Sequence, residues 1–140
     1  MPTPTATKEN MMLRLFTVIV GLALATSAFG HSDSKWTKGP KGGHIVDAGR
    51  GKQHWELVAK GNELTLYVTD ADERPVKADG GSAKGQVLLG SKTFNVDFRP
   101  AGDNALKATG EFTAAKGMKV IVKTDKVGGQ SFQARLAPLN

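Results

Sequence analysis

The stretch Glu63-Leu64-Thr65-Leu66-Tyr67-Val68-Thr69 decides the fold. Leu64, Leu66 and Val68 alternate with Thr65, Tyr67 and Thr69. A period of two with one apolar face is the pattern of a half-buried strand. Working outward, the same alternation returns in Phe94, Val96 and Phe98, and in Leu106, Ala108, Gly110 and Phe112. It returns again in Met118, Val120 and Val122, and in Phe132, Ala134 and Leu136. Gly61-Asn62, Gly90-Ser91 and Gly128-Gly129 stand between these runs and supply the positive φ of tight hairpin turns. Asp70 to Pro75 and Pro100 to Asn104 read as longer loops. No apolar stripe of helical period follows residue 30. The expectation is an all-β domain, a single antiparallel β-sandwich or barrel of about seven or eight strands.

The N-terminus carries a different signal. Leu13 to Ala25 is an apolar run interrupted by Arg14, with Lys8 before it and the small-residue stretch Thr26-Ser27-Ala28-Phe29-Gly30 behind it. A basic flank, an apolar stretch of roughly 11 residues and small residues at the cut describe a cleaved secretory signal peptide. A membrane span would need about 20 apolar residues. The reading is a signal peptide over 1–30, with Met11 or Met12 as an alternative start. A flexible leader over 31–43 and a β domain over 44–140 follow. The protein is then periplasmic, with no stable membrane insertion after cleavage. Cutting after Ala28-Phe29-Gly30 would make His31 the first residue, with amine and imidazole placed to chelate copper; cutting after Ala28 would leave Phe29 first.

Composition narrows the classes of function. The chain has no cysteine, which excludes thiolate metal sites and cysteine catalysis. The whole chain carries +6; loss of Lys8, Arg14 and Glu9 leaves 17 basic against 12 acidic residues, a net +5. The lysines are spread singly, at Lys84, Lys92, Lys107, Lys119 and Lys123, without interleaved aromatics. That spacing reads as solvated strand faces and edges, not as a nucleic-acid surface. No nucleophile–base arrangement and no phosphate loop is legible, so an enzyme is not expected. Gly80 to Gly85 lacks the strand–loop–helix context of a phosphate loop and reads as flexible. Asp70-Ala71-Asp72-Glu73 lacks EF-hand spacing and reads as a solvated turn. Met118 sits at an inward strand position and reads as core, not as a copper ligand.

The one constellation with metal chemistry lies in the first hairpin. His44-Ile45-Val46-Asp47 and Gln53-His54-Trp55-Glu56-Leu57 flank the turn Ala48-Gly49-Arg50-Gly51-Lys52. If the strands pair about Arg50, Val46 faces His54 and His44 faces Glu56. His44, His54 and Glu56 then share one wet face, and Ile45, Trp55 and Leu57 share the core face. Opposed Cβ atoms lie about 4.5–5.5 Å apart and diagonal ones about 7–8 Å, so the three could converge on one ion. A slip of one residue in register would break the set. Imidazole and carboxylate suit Zn, Cu, Ni or Co, and Asp47 is a further candidate ligand or supporting group. No organic cofactor is expected.

Gly39-Pro40-Lys41-Gly42-Gly43-His44, His54-Trp55-Glu56-Leu57-Val58 and Leu64-Thr65-Leu66-Tyr67-Val68-Thr69-Asp70 together resemble a group of small exported bacterial proteins. They are also similar to segments near the N-terminus of periplasmic adaptor subunits of heavy-metal efflux pumps of the cobalt–zinc–cadmium type. The resemblance spans residues 39 to 77 and implies an all-β periplasmic domain in metal resistance or homeostasis. It implies His44, His54 and Glu56 as the polar positions of interest, and an efflux adaptor as partner. Many such proteins carry further histidines near the turn, where this chain has Lys52 and Gln53. The helical hairpin and lipoyl regions of an adaptor are not legible, so the resemblance is to its metal-associated module alone. The alternative expectation is a protein-interaction module without metal, pairing through its strand edges, with Tyr67 and nearby lysines marking the face.

Overall fold

A computed structural model describes residues 36–140. The proposed signal peptide and His31 lie outside the described residues. Eight strands follow in chain order: β1 (His44–Ala48), β2 (Gln53–Lys60), β3 (Glu63–Asp70), β4 (Ser82–Leu89), β5 (Lys92–Pro100), β6 (Ala105–Thr109), β7 (Lys119–Asp125) and β8 (Gln133–Leu136). All pair antiparallel, and no helix occurs among the described residues. They form one sheet in the order β1-β2-β3-β6-β5-β4-β7-β8, and β1 and β8 approach each other to leave a nearly closed barrel. The all-β expectation holds, with eight strands.

The alternating residues account for the core. Leu64, Leu66, Val68, Val96, Phe98, Leu106, Ala108, Phe112, Met118, Val120, Val122 and Leu136 are all buried. Removing each large aliphatic or aromatic side chain from water contributes about 1.5–3 kcal/mol. Trp55 is fully buried among them, and its indole N–H donates to Gln53 Oε1 at 3.0 Å. Gln53 in turn donates to the Val127 carbonyl at 3.0 Å, so the polar pair inside the barrel is satisfied.

Two stretches differ from the sequence reading. Ser82 to Gly85 is the start of β4 and not a flexible loop. Gly85 is required there because a Cβ would lie 2.7 Å from the Phe98 ring. Residues 36–43 are packed against the barrel, unlike the extended leader expected of them. Lys38 forms a bridge with His44, Ile45 N–H donates to the Thr37 carbonyl at 3.0 Å, and Trp36 Nε1–H donates to the Ala137 carbonyl at 2.7 Å. The indole of Trp36 gives this segment an apolar anchor at the seam between β1 and β8.

Candidate functional site

The β1–β2 hairpin pairs one residue out of the expected register. His44 faces Leu57, Ile45 faces Glu56, Val46 faces Trp55, Asp47 faces His54 and Ala48 faces Gln53. The turn is Gly49 to Lys52, one residue longer than pairing about Arg50 would make it. Side-chain parity on β1 is therefore reversed. Val46 and Ala48 point inward with Trp55 and Leu57; Ile45 and Asp47 point outward with His54 and Glu56. The physical reason lies in Asp47: the expected parity would have turned its carboxylate into the apolar core, at a cost of several kcal/mol. The turn is held by Phe132, whose ring lies where a Cβ on Gly49 would be, at 2.3 Å.

This register separates the proposed ligands. His44 leaves the face of His54 and Glu56 and becomes part of the β1–β8 seam. Its Nδ1 accepts the Ala137 N–H at 2.9 Å, and its ring stacks on Trp36 with centroids 5.6 Å apart and planes at 15°. Burial lowers its pKa from the ordinary 6.5, because the charged imidazolium is desolvated there. The His44–His54–Glu56 triad is thus not assembled. Among the described residues no group of three His, Asp or Glu side chains is gathered closely enough to hold a metal ion.

Glu56 does stand on the outer face, but it is not wet. It is 4% exposed, because the loop Gly39 to Gly43 folds over it. Its Oε2 accepts the Lys41 and Gly43 backbone N–H groups, each at 2.9 Å. A Cβ on Gly39 would lie 2.3 Å from the Glu56 carboxyl carbon, and one on Gly43 2.2 Å from the Leu57 carbonyl oxygen. The glycines at 39 and 43 are therefore demanded by close approach. The Gly-rich motif and the Glu of the next strand are two halves of one structural device. The signal in the sequence was the glycine pair itself, which marks a backbone that must come close to something.

His54 and Asp47 are brought together. They are directly opposed across the hairpin, with Nε2 and Oδ1 3.4 Å apart. The His54 side chain is 24% exposed and that of Asp47 73%. Thr69 of β3 flanks His54 on its other side, and its hydroxyl donates to the His54 carbonyl at 3.4 Å. The next row of the same face runs Ile45, Glu56, Tyr67, with the Lys41 ammonium 4.6 Å above the Tyr67 ring.

Two adjoining clefts open on this face. The larger, about 640 Å³, has Asp47, His54, Pro40 and Glu73 in its wall. The smaller, about 260 Å³, has Glu56, Tyr67, His54 and Glu73. His54 and Glu73 belong to both. Met118 is fully buried in the core, so its thioether reaches neither cleft. Comparison with protein-family models, with characterised proteins and with solved structures finds no match to this chain.

Proposed function

We propose that this is a non-catalytic exported domain that carries a divalent transition-metal ion, held at His54 Nε2 and the Asp47 carboxylate. The observation that carries this reading is the 3.4 Å between those two atoms on opposed residues. An ion bonded at about 2.0–2.2 Å to an imidazole nitrogen and a carboxylate oxygen, at a tetrahedral angle, spans about 3.4 Å between them. The spacing of the pair thus matches that of two donors on one ion, with Nε2 deprotonated to bind. His44 and Glu56 are otherwise engaged and take no part; their roles are in the seam and in the folded loop. Two protein donors leave open positions, which suits a weakly held, exchangeable cargo handed to a partner. Periplasmic location and delivery to an efflux adaptor are proposed on the N-terminal sequence and on the resemblance.

Calorimetric titration with Zn, Co, Ni and Cu ions tests the reading. One-to-one binding that is lost in His54→Ala and weakened in Asp47→Asn is expected. Absence of binding, or binding indifferent to both changes, overturns it.

A second reading has its own observation. β5 pairs with β6 only through Arg99 and Pro100; beyond them Gly110 and Phe112 lie beside Val96 and Phe94 without a hydrogen-bonded ladder, so this side of β5 is a loosely held edge. An edge without a ladder is a template for strand addition by a protein partner. Capture of a partner that survives chelator, with new amide-exchange protection over Lys92 to Phe98, would favour it over the metal carrier.

A further inference from the structure

Basic residues that stand singly along the chain are gathered by the sheet. β5, β4, β7 and β8 are neighbours in that order, and their register sets Lys84 directly opposite Lys123. On the same outer face Lys119 stands opposite Leu88, and Arg135 opposite Ile121. Asp97 lies opposite Lys84 on the β5 side, and Arg99, two residues on, shares its face. Lys84, Arg99, Lys119, Lys123 and Arg135 are all exposed. No ion pair among the described residues engages any of them. Asp97 and Asp125 are the only carboxylates on these four strands, and Asp125 already accepts the Ser131 hydroxyl at 3.2 Å. The first three strands have the opposite balance: Asp47, Glu56, Glu63 and Asp70 against Lys60. The net charge of +6 is thus unevenly spread over the barrel.

The opposed lysines act against the fold. Like charges directly across a ladder, with Cβ atoms about 4.5–5.5 Å apart, destabilise a sheet. Neither side chain is needed by the core, because Val87, Val120 and Val122 fill the inner face of the same strands. An anionic surface laid over Lys84 and Lys123 turns their mutual repulsion into attraction for that surface.

We propose that this face of the barrel docks on an anionic lipid bilayer. Charge complementarity carries the proposal, and it does not depend on the metal reading. None of the outward-facing residues of the four strands is aromatic, so the face has no platform on which nucleic-acid bases would stack. Its middle is apolar instead: Leu88 and Ile121 are half-buried there, between Lys119, Arg135 and the Lys84–Lys123 pair. Lysine and arginine stems lie along such a patch while their charged heads reach lipid phosphates. Each cation near an anionic bilayer strengthens binding about fivefold, and the effect is screened by salt. Binding is peripheral, and the acidic half of the barrel, with Asp47 and Glu56, is turned from the lipid.

Flotation of the full chain with vesicles tests the proposal, using phosphatidylcholine alone and phosphatidylcholine mixed with phosphatidylglycerol. Binding to the mixed vesicles alone is expected, falling steeply between about 50 and 200 mM salt. Lys84→Gln/Lys123→Gln should weaken it about 25-fold. The same loss of charge at Lys52→Gln/Lys60→Gln, on the first hairpin, should change it less than about twofold. The thermal midpoint of Lys84→Gln/Lys123→Gln should equal or exceed that of the wild type, because a repulsive pair is removed. Equal weakening in the two double variants would mean that net charge and not this face binds, and would overturn the proposal. Binding that ignores salt and both variants would belong to the apolar run Leu13 to Ala25 and would overturn it as well. So would binding of DNA or polyglutamate with no binding to anionic vesicles, which would put a different polyanion on the face.

Discussion

His44 Nδ1 accepts the backbone N–H of Ala137 at 2.9 Å, joining residues 93 positions apart across the seam between β1 and β8. An imidazole can accept there only when Nδ1 carries no proton. Burial disfavours the charged form, and the pKa of His44 is lowered below 6.5 in the folded protein. The unfolded chain therefore binds the proton more readily than the folded one. The contribution of this site to stability is fully present above about pH 6.5 and is lost as pH falls through the lowered folded value. Thermal midpoints measured from pH 7.5 down to pH 5 should fall, and His44→Asn should flatten that fall. The asparagine oxygen can replace Nδ1 as acceptor but does not titrate.

Glu56 is expected to act on stability and not on metal affinity. Truncation by Glu56→Ala leaves the Lys41 and Gly43 N–H groups without their acceptor under a closed loop. One buried unsatisfied donor costs about 1–3 kcal/mol. Gly39→Ala should be damaging from the other side, because its Cβ would meet the Glu56 carboxylate. Overpacking of this kind costs about 1–3 kcal/mol. Urea unfolding midpoints of both variants, set beside their metal titrations, check the assignment; a loss of metal binding without a loss of stability in Glu56→Ala would contradict it.

Most of the strands were legible because period-two alternation survives in short segments whatever the turns do. Leu64, Leu66 and Val68 could face only one way, since Thr65, Tyr67 and Thr69 are the poorer core. The first hairpin was the exception. His44-Ile45-Val46-Asp47-Ala48 offers an apolar side chain on either parity, and Gly49-Arg50-Gly51-Lys52 accommodates turns of two lengths. The deciding fact was available in principle: Asp47 shares the parity of Ile45, so turning Ile45 inward buries a carboxylate. Pairing His44 with Glu56 put ligand chemistry ahead of that cost. The covering of Glu56 by the Gly39 loop was not legible, because it depends on a close approach between segments 13 to 17 positions apart.

Gln53 should prove a structural residue despite its polarity. It is 3% exposed, receives the Trp55 indole N–H and donates to the Val127 carbonyl. Gln53→Leu preserves approximate volume but leaves the buried indole donor without its acceptor and takes one of two donors from the Val127 carbonyl, which keeps the Gln130 N–H. The expected loss is about 2 kcal/mol, within the range for one buried unsatisfied group. A change in near-ultraviolet circular dichroism from Trp55 should accompany it, and an unaltered unfolding midpoint would refute the role.

The Asp47–His54 pair separates binding from folding most cleanly. Asp47 is largely exposed, and an ion pair of that exposure contributes about 0–1 kcal/mol to stability. Asp47→Asn and His54→Ala should therefore melt close to the wild type in the presence of chelator. Added ion tells the two roles apart, because a ligand that binds only the folded state stabilises it in proportion to occupancy. At an ion concentration of 100 times Kd the gain is about 2.7 kcal/mol. The wild-type melting temperature should rise with zinc or cobalt, while His54→Ala stays at its chelator value and Asp47→Asn rises by a smaller amount. A rise of equal size in all three proteins would place the ion elsewhere on the barrel.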